Sequence, residues 1–248
     1  MVTRKSKSEI EKMRRAGRIV AEVLALVESE LKPGVSAAHL DRIAEAYIRN
    51  AGAIPSFKGY HGYPASLCIS INDEVVHGIP GDRIIRDGQV VSVDAGAIYE
   101  GWHGDGARTF VVGTARPEVQ RLIETCRAAM MAGIAAARPG NRIGDIAAAV
   151  EDVAGPAGYG IVRQYVGHGI GTSMHEEPQV PNFRSPSKGM QLVPGICLAI
   201  EPMLTLGSHE VETRPDGWTV VTRDGSVAAH FEHTIAITDQ GPQILTTV

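Results

Sequence analysis

Four acidic residues and one histidine lie where this sequence otherwise has apolar strands or a glycine-rich turn. They are Asp94, Asp105, His168, Glu201 and Glu232, in the segments VVSVDAG, GWHGDGARTF, YVGHGIG, CLAIEPM and AHFEHTIAIT. A carboxylate inside an apolar strand costs several kcal/mol unless it is paired or bound to a metal. Four carboxylates of this kind, with one imidazole, are explained most simply by a pair of divalent cations.

Taken singly, each of these residues has an ordinary alternative. Asp105 could end a strand in water, and Glu201 or Glu232 could be half of a buried ion pair. His168 could be a hydrogen-bonded residue in a glycine turn. Asp94, between Val-Ser-Val and Ala-Gly, is harder to place at the surface. The metal hypothesis therefore rests on the set of five.

The two aspartates are predicted to lie on one hairpin. Asp94 and Asp105 are 11 residues apart, which suits a turn near Tyr99 and Glu100. Antiparallel pairing would make them cross-strand neighbours with side chains on one face. Two like charges at such a distance repel by about 4 kcal/mol at an effective dielectric of about 20. A bridging cation turns that repulsion into ligation.

The bulk properties are those of a soluble globular protein. The 248 residues are 44% hydrophobic and 21% charged, and the formal charge of −4 argues against a general nucleic-acid surface. No apolar run is long enough for a signal peptide or a membrane span. Three cysteines at uninformative spacings favour free thiols in a reducing compartment. We therefore expect a cytoplasmic protein with no membrane contact.

Apolar periodicity and turn residues divide the chain into helices and strands. Ser8 to Glu11 has the spacing of a capping box that opens a first helix, which should stop before Pro33. Ser36 should cap a second helix, and an inserted β-ribbon is predicted at about 208–228. Further helices are predicted at 117–137 and 143–154, and strands at roughly 66–71, 90–97 and 107–112.

The second half of the chain repeats the plan of the first. A shift of 106 positions places Pro33-Gly34 on Pro139-Gly140, and a shift of 107 places Gly88–Asp94 on Gly195–Glu201. Each half would supply one strand acid and one return-strand acid to a shared site. We predict a single catalytic domain over 1–248 with an internal repeat of approximately 1–115 and 116–248.

Several segments resemble, in order, the methionine aminopeptidases of type I in the creatinase/aminopeptidase "pita-bread" group. They are GYHGYPASLCISINDEVVHGIP (59–80), DAG (94–96) with Asp105 downstream, GHGIG (167–171), AIEPM (199–203) and FEHT (231–234). The resemblance implies an α+β pita-bread fold. Its two halves are related by a pseudo-twofold axis, with an antiparallel sheet core and helices on the outer face.

By the same resemblance, the five residues hold two divalent metal ions. Asp94 chelates one metal, His168 and Glu201 bind the other, and Asp105 and Glu232 bridge them. Ligation by several oxygens and one imidazole suits Mn²⁺, Fe²⁺ or Co²⁺ and is compatible with Zn²⁺. A metal-activated water would then hydrolyse a peptide bond near neutral pH.

The implied reaction is removal of the N-terminal methionine from nascent proteins and peptides, with a preference for a small second residue. Glu201 is implied to shuttle the proton, His77 to contact the scissile amide near the leaving nitrogen, and His175 to stabilise the oxyanion. Any single histidine could equally be a structural residue of a loop. The methionine pocket is implied to be lined by Phe57, Tyr60, Tyr63, Cys68, Met174 and Trp218. Phe57 could also be ordinary core, and some relatives differ at Phe57 and Met174.

Two alternatives and several partners follow from this interpretation. A prolidase or Xaa-Pro aminopeptidase would share the catalytic half but would usually carry an additional N-terminal domain. A non-catalytic pita-bread binding module would typically have lost ligands, which this chain keeps. We expect a monomer that acts on N-terminal methionine peptides and nascent chains without specific nucleic-acid binding. A transient ribosome contact would fall to the basic residues Arg4, Lys5 and Lys7.

Overall fold

The computed structural model describes residues 2–248. Its helices are α1 (Lys7–Glu30), α2 (Ala37–Asn50), α3 (Pro117–Ala136) and α4 (Ile143–Ala154). Its strands are β1 (Ile54–Pro55), β2 (Leu67–Ile71), β3 (Glu74–Val76), β4 (Val90–Tyr99), β5 (Trp102–Val111), β6 (Gly160–Ile161), β7 (Gly167–Gly169), β8 (Glu176–Val180), β9 (Cys197–Ile200), β10 (Met203–Thr205), β11 (Val211–Thr213), β12 (Val220–Thr222), β13 (Ala228–His230), β14 (Glu232–Thr238) and β15 (Gly241–Ile244). A short 3₁₀ turn covers Tyr60–Gly62.

A nine-stranded antiparallel sheet forms the centre of the molecule. Its main path runs β1-β4-β5-β14-β9-β7-β8, with β2 also pairing β4 and β15 pairing β14. The β5–β14 contact therefore joins strands of the first half of the chain to strands of the second. Two smaller sheets have the orders β13-β10-β6 and β11-β12-β3. Strands β11 and β12 are the ribbon predicted at about 208–228.

Each half of the sheet is covered by its own pair of helices. The apolar stripes of α1 and α2 form one core with β2 and β4, in which Val20, Leu40 and Val93 are fully buried. The α3–α4 pair packs in the same way on β9 and β14, around Leu122 and Ile146. This mixed arrangement of helices on an antiparallel sheet is the predicted fold class. Within residues 2–248, no helix has both the length and the apolar character needed to cross a bilayer.

Two of the predicted boundaries are wrong. The first helix is capped by Ser6, whose hydroxyl accepts from Glu9 N–H while the Glu9 carboxylate accepts from Ser6 N–H at 2.7 Å. Ser6 and Ser8 both lie three residues before a glutamate, so the motif fits either position. Strand β5 begins at Trp102 rather than near residue 107, directly after the turn at Glu100-Gly101. Its start contains glycine and charged residues, which are uncommon in strands.

Candidate active site

The strand register places the three acids of the central strands on one face of the sheet. Asp94 pairs with Ala107, and Ala107 pairs with Glu232 on the next strand, so these three positions form one cross-strand row. Asp105 lies two residues before Ala107 and therefore points the same way. Asp94 and Asp105 are thus diagonal neighbours rather than a directly opposed pair, because Asp105 pairs with Gly96.

The remaining two residues enter from the other side of the β5–β14 contact. His168 on β7 pairs with Ala199 on β9, and Glu201 lies two residues beyond Ala199 on the same face. The His168 Nε2 atom is 3.4 Å from Glu201 Oε1 and 3.9 Å from Asp105 Oδ2. Ligand atoms of Asp105, His168 and Glu232 lie within 4.8 Å of one another. All five predicted residues are therefore brought together.

Hydroxyl groups fix the two halves of the site to each other. Thr234 Oγ1 accepts from Asp105 N–H at 2.9 Å and donates to Asp105 O at 2.8 Å. Thr109 makes the equivalent pair of bonds with the backbone of His230, each at 2.8 Å. These bonds cross the junction between β5 and the chain around β14. They hold the backbone of the site in place independently of any bound ion.

All five side chains are buried, and burial changes their proton affinities. It raises the pKa of Asp94 to about 7. The pKa values of Asp105, Glu201 and Glu232 are raised well above the ordinary range, first by burial and then by neighbouring carboxylates. Burial, with a smaller contribution from His175, lowers the pKa of His168 to about 3. The imidazole is therefore neutral at pH 7 and forms no ion pair with these acids.

The donor set fits a divalent cation. His168 Nδ1 lies 2.8 Å from Gly169 O, so this nitrogen carries the proton and Nε2 presents a lone pair to the carboxylates. A lone pair that faces carboxylate oxygens is repulsive unless a cation or a proton lies between them. Asp94 Oδ1, Asp105 Oδ1 and Glu232 Oε1 are also buried, and none of them has a hydrogen-bond partner within residues 2–248. Buried carboxylate oxygens without hydrogen-bond donors, next to an imidazole nitrogen with a free lone pair, are typical of a metal centre.

A cavity of about 300 Å³ opens above these residues. It is lined by every residue that the sequence placed in the site: Phe57, Tyr60, Tyr63, Cys68, His77, Asp94, Asp105, His168, Met174, His175, Glu201, Trp218 and Glu232. One side is acidic, and the other is an apolar cluster in which Phe57, Tyr63, Cys68 and Met174 are buried. The cavity can therefore hold a polar group and an apolar side chain at the same time.

The two further histidines flank the opening. His77 follows β3 with a φ of 60°, a left-handed conformation that costs free energy for a non-glycine residue. Burial and, to a smaller extent, His175 lower its pKa to about 4, so it is neutral at pH 7. His175 is exposed at the mouth, with its ring centroid 4.3 Å from that of His168. Its Nδ1 atom lies 2.8 Å from the Tyr60 hydroxyl.

The sequence did not predict several residues of the site, among them Tyr165, His61 and His230. Tyr165 lines the cavity and packs edge-on against His77, with ring centroids 5.4 Å apart. His61 lines the mouth. His230 is buried behind Glu201, with Nε2 unpartnered and 3.9 Å from Glu201 Oε2. All three lie in segments already singled out: His230 is two residues before Glu232, Tyr165 opens YVGHGIG, and His61 lies in GYHGYP.

An antiparallel sheet that carries four buried acids and one neutral histidine defines a metallopeptidase of the pita-bread type. The chain belongs to metallopeptidase family M24, which it matches over residues 11–239. It is 51% identical over 247 residues to the methionine aminopeptidase of Clostridium acetobutylicum, covering 99% of both chains. It is 48% identical over 248 residues to methionine aminopeptidase 1 of Bacillus subtilis, covering 100% of both.

Solved structures agree with this assignment. The methionine aminopeptidase of Thermotoga maritima superimposes with a TM-score of 0.98 at 42% identity, covering 100% of both chains. The prolidase of Pyrococcus horikoshii superimposes with a TM-score of 0.81 at 24% identity. That match covers 99% of this chain but 63% of the prolidase, and it shows the shared fold alone. The predicted pita-bread fold is confirmed.

Proposed function

We propose that this protein is a metal-dependent aminopeptidase that removes the N-terminal methionine from peptides and nascent chains, with a preference for a small second residue. One observation carries the proposal: a single cavity joins a buried acidic metal centre to an apolar pocket lined with aromatic rings and sulfur. Membership of family M24 and relatives at about half identity that are named methionine aminopeptidases support it.

The five residues at the acidic end would hold two divalent cations. Asp94 would chelate one, His168 and Glu201 the other, and Asp105 and Glu232 would lie between them. The ligand set suits Mn²⁺, Fe²⁺ or Co²⁺ and is compatible with Zn²⁺. When bound, such ions lower the pKa of water and polarise a carbonyl group.

The protein's own groups then handle the substrate and the protons. Glu201 accepts the proton of the attacking water and delivers it to the leaving amine. His175 donates to the carbonyl oxygen as negative charge develops there. The Tyr60 hydroxyl can donate to His175 Nδ1, which leaves the proton of a neutral imidazole on Nε2 for that purpose. His77 lies beside the scissile amide, and Asp94 lies on the side of the substrate's α-amine.

The apolar end of the cavity would receive the methionine side chain. Phe57, Tyr63, Cys68 and Met174 form a buried wall, and Trp218 packs edge-on against Tyr63 at a centroid distance of 5.1 Å. Burial raises the pKa of Cys68 well above its ordinary value, so the thiol stays protonated and behaves as an apolar group. An unbranched thioether packs well against sulfur and aromatic edges.

We place the enzyme in the cytoplasm as a monomer that meets emerging chains. Arg4 and Lys7 are exposed and could contact the ribosome transiently. The prediction that Lys5 shares this role is wrong, because its side chain is buried in an ion pair with Glu176.

The test is hydrolysis by metal-depleted protein that is titrated with Mn²⁺ or Co²⁺. We expect release of methionine from Met-Ala-Ser to appear with added metal, and no cleavage of Gly-Pro. Cleavage of Gly-Pro in preference to Met-Ala-Ser would assign the protein to the prolidase class instead. Absence of hydrolysis with either cation, despite measured metal binding, would favour a binding module.

A further inference from the structure

The segment that precedes α1 is attached to the body of the protein next to the active site. Lys5 N–H donates to Gly195 O at 2.7 Å, and Arg4 Nε donates to Pro194 O at 2.9 Å. The Lys5 residue is only 7% exposed. Lysine is rarely buried unless it is paired, so a buried lysine this close to a catalytic site requires a reason.

The partner of Lys5 is Glu176, the first residue of β8. Lys5 Nζ lies 2.6 Å from Glu176 Oε2, and Thr3 Oγ1 donates to the same oxygen at 2.9 Å. The other carboxylate oxygen of Glu176 accepts from Ser173 N–H at 3.3 Å. The carboxylate therefore closes the turn that precedes β8 on one side and is held by the N-terminal segment on the other.

The turn closed in this way, Gly171–Glu176, carries Met174 and His175 into the cavity. It packs without spare room: a Cβ atom on Gly171 would clash with Glu176 Oε1 and lie 2.6 Å from Lys5 Cε. His175 is exposed, and the Tyr60 hydroxyl is the hydrogen-bond partner of its ring. The position of its imidazole therefore depends on the backbone of this turn.

We propose that Lys5 is a positioning residue of the catalytic site. Through Glu176 it fixes the turn Gly171–Glu176, and that turn aims His175 at the scissile carbonyl. The N-terminal segment thereby controls turnover although it does not touch the substrate. The inference rests on the proposed function, since the position of this turn can affect the rate only if His175 takes part in catalysis.

The test compares Lys5→Met, which removes the charge and keeps the apolar stem, with the matched control Lys7→Met at an exposed lysine two residues on. Turnover of Met-Ala-Ser should fall about 10-fold in Lys5→Met and stay unchanged in Lys7→Met. Mn²⁺ affinity should be unchanged in both, because neither lysine is one of the five predicted ligands. Hydrogen exchange at residues 171–176 should speed up only in Lys5→Met. Lys5→Arg should recover most of the rate.

A double-mutant cycle separates positioning of His175 from general weakening of the fold. In the His175→Ala background, Lys5→Met should lower turnover by less than twofold. An equal 10-fold loss in both backgrounds, or unchanged exchange at 171–176, would overturn the proposal. If Lys5→Met does not fold, the same double-mutant cycle can be measured with Thr3→Val, for which we expect turnover to fall a few-fold. Failure of the proposed function differs from failure of the positioning proposal. In the first case the wild-type protein lacks turnover, but hydrogen exchange still shows whether Lys5 holds the turn 171–176 in place.

Discussion

At the scale of single residues, the metal centre is defined by groups that cannot satisfy one another. His168 presents a lone pair, and the oxygens around it are acceptors once the acids are ionised. A buried acceptor left without a donor costs about 1–3 kcal/mol, and more if it is charged. Several such groups in one cavity are tolerable because a cation satisfies them all. The same unsatisfied groups therefore destabilise the metal-free site and give it affinity for a metal ion.

The role of His175 can be tested without disturbing that centre. Its ring lies at the cavity mouth, and it is not one of the five predicted ligands. Substitution His175→Ala should lower turnover about 10²-fold or more while metal binding and fold stay unchanged, as expected for loss of an oxyanion donor. Steady-state kinetics at saturating Mn²⁺, together with calorimetry, would check this.

Tyr60→Phe is the companion variant, because it removes only the hydroxyl that faces His175 Nδ1. We expect it to lower turnover by about 10-fold, less than removal of the ring itself. Unchanged turnover in His175→Ala would remove the proposed donor role. Equal losses of metal and turnover would mean that His175 acts through the ligands.

The metal-site residues could be predicted as a set because acids and a histidine are out of place in apolar strands and a glycine turn, whereas the pocket residues and the roles of His77 and His175 followed only from the family resemblance. Asp94 interrupts an apolar strand, and His168 lies between two glycines. Tyr165 and His61 have no such contrast with their neighbours, and the burial of Lys5 depends on a partner 171 positions away. Local sequence carries no information about contacts of that range.

At the scale of elements, helix α1 packs closely against β5, the strand that carries Asp105. Gly104 on β5 faces Gly17 on α1 so closely that a Cβ on Gly104 would lie 2.6 Å from Gly17 N. The atoms in the way are helix backbone, which cannot rotate aside. The glycine that obscured the start of β5 in the sequence is therefore the residue that lets the helix reach the strand.

Gly104→Ala should destabilise the protein by about 1–3 kcal/mol, because the added methyl pushes α1 off the sheet. Urea unfolding of the metal-free protein measures this without a contribution from bound ions. Gly81→Ala is the matched control, since a Cβ there meets nothing within 4 Å and its backbone is not left-handed. Similar midpoints for both variants would show that the close approach relaxes at little cost.

The helices and the turn of the β4–β5 hairpin were predicted well because their patterns are long, although the cap of α1 and the start of β5 were not. The observed helices Ala37–Asn50 and Ile143–Ala154 follow the apolar periodicity and the turns that bound it. The short strands β3, β6, β7 and β10 were not predicted. Each has two or three residues and exists because a neighbouring strand offers it hydrogen bonds. Such pairing is a property of the fold rather than of the segment.

At the scale of the whole molecule, the two halves share more than their helices. The isolated bridge between Ser36 and Ile84 has a counterpart between Arg142 and Gln191, displaced by 106 and 107 positions. These are the shifts that relate the repeated sequence segments. The single domain over 1–248 and its division near residue 115 stay predictions. The ligands come from both halves, so a bound cation would link them.

This linkage gives stability a distinctive dependence on pH. The pKa of buried Asp94 rises from 3.8 to about 7 in the metal-free protein, so the folded state holds a proton that the unfolded chain releases above about pH 4. The contribution of Asp94 to stability therefore falls as the pH rises from about 4 to 7, whereas the lowered pKa values of His168 and His77 act in the opposite direction below about pH 6.5. Because each tenfold change in proton affinity corresponds to about 1.36 kcal/mol, this residue alone accounts for up to about 4 kcal/mol. The raised pKa values of Asp105, Glu201 and Glu232 act in the same direction.

Divalent cations should reverse this trend, because they bind the ionised ligands of the folded state and are expected to have little affinity for the unfolded chain. Urea unfolding with a chelator at pH 5 and pH 7.5 should show that the metal-free wild type loses stability relative to the Asp94→Asn variant as the pH rises, because both proteins share the opposing histidines. Added Mn²⁺ should stabilise the wild type more at pH 7.5 than at pH 5. The variant Asp94→Asn has no proton to lose at this position, so its metal-free stability should fall less over the same interval. A variant whose stability has the same pH slope as that of the metal-free wild type would mean that Asp94 is not buried with the other acids in the absence of metal.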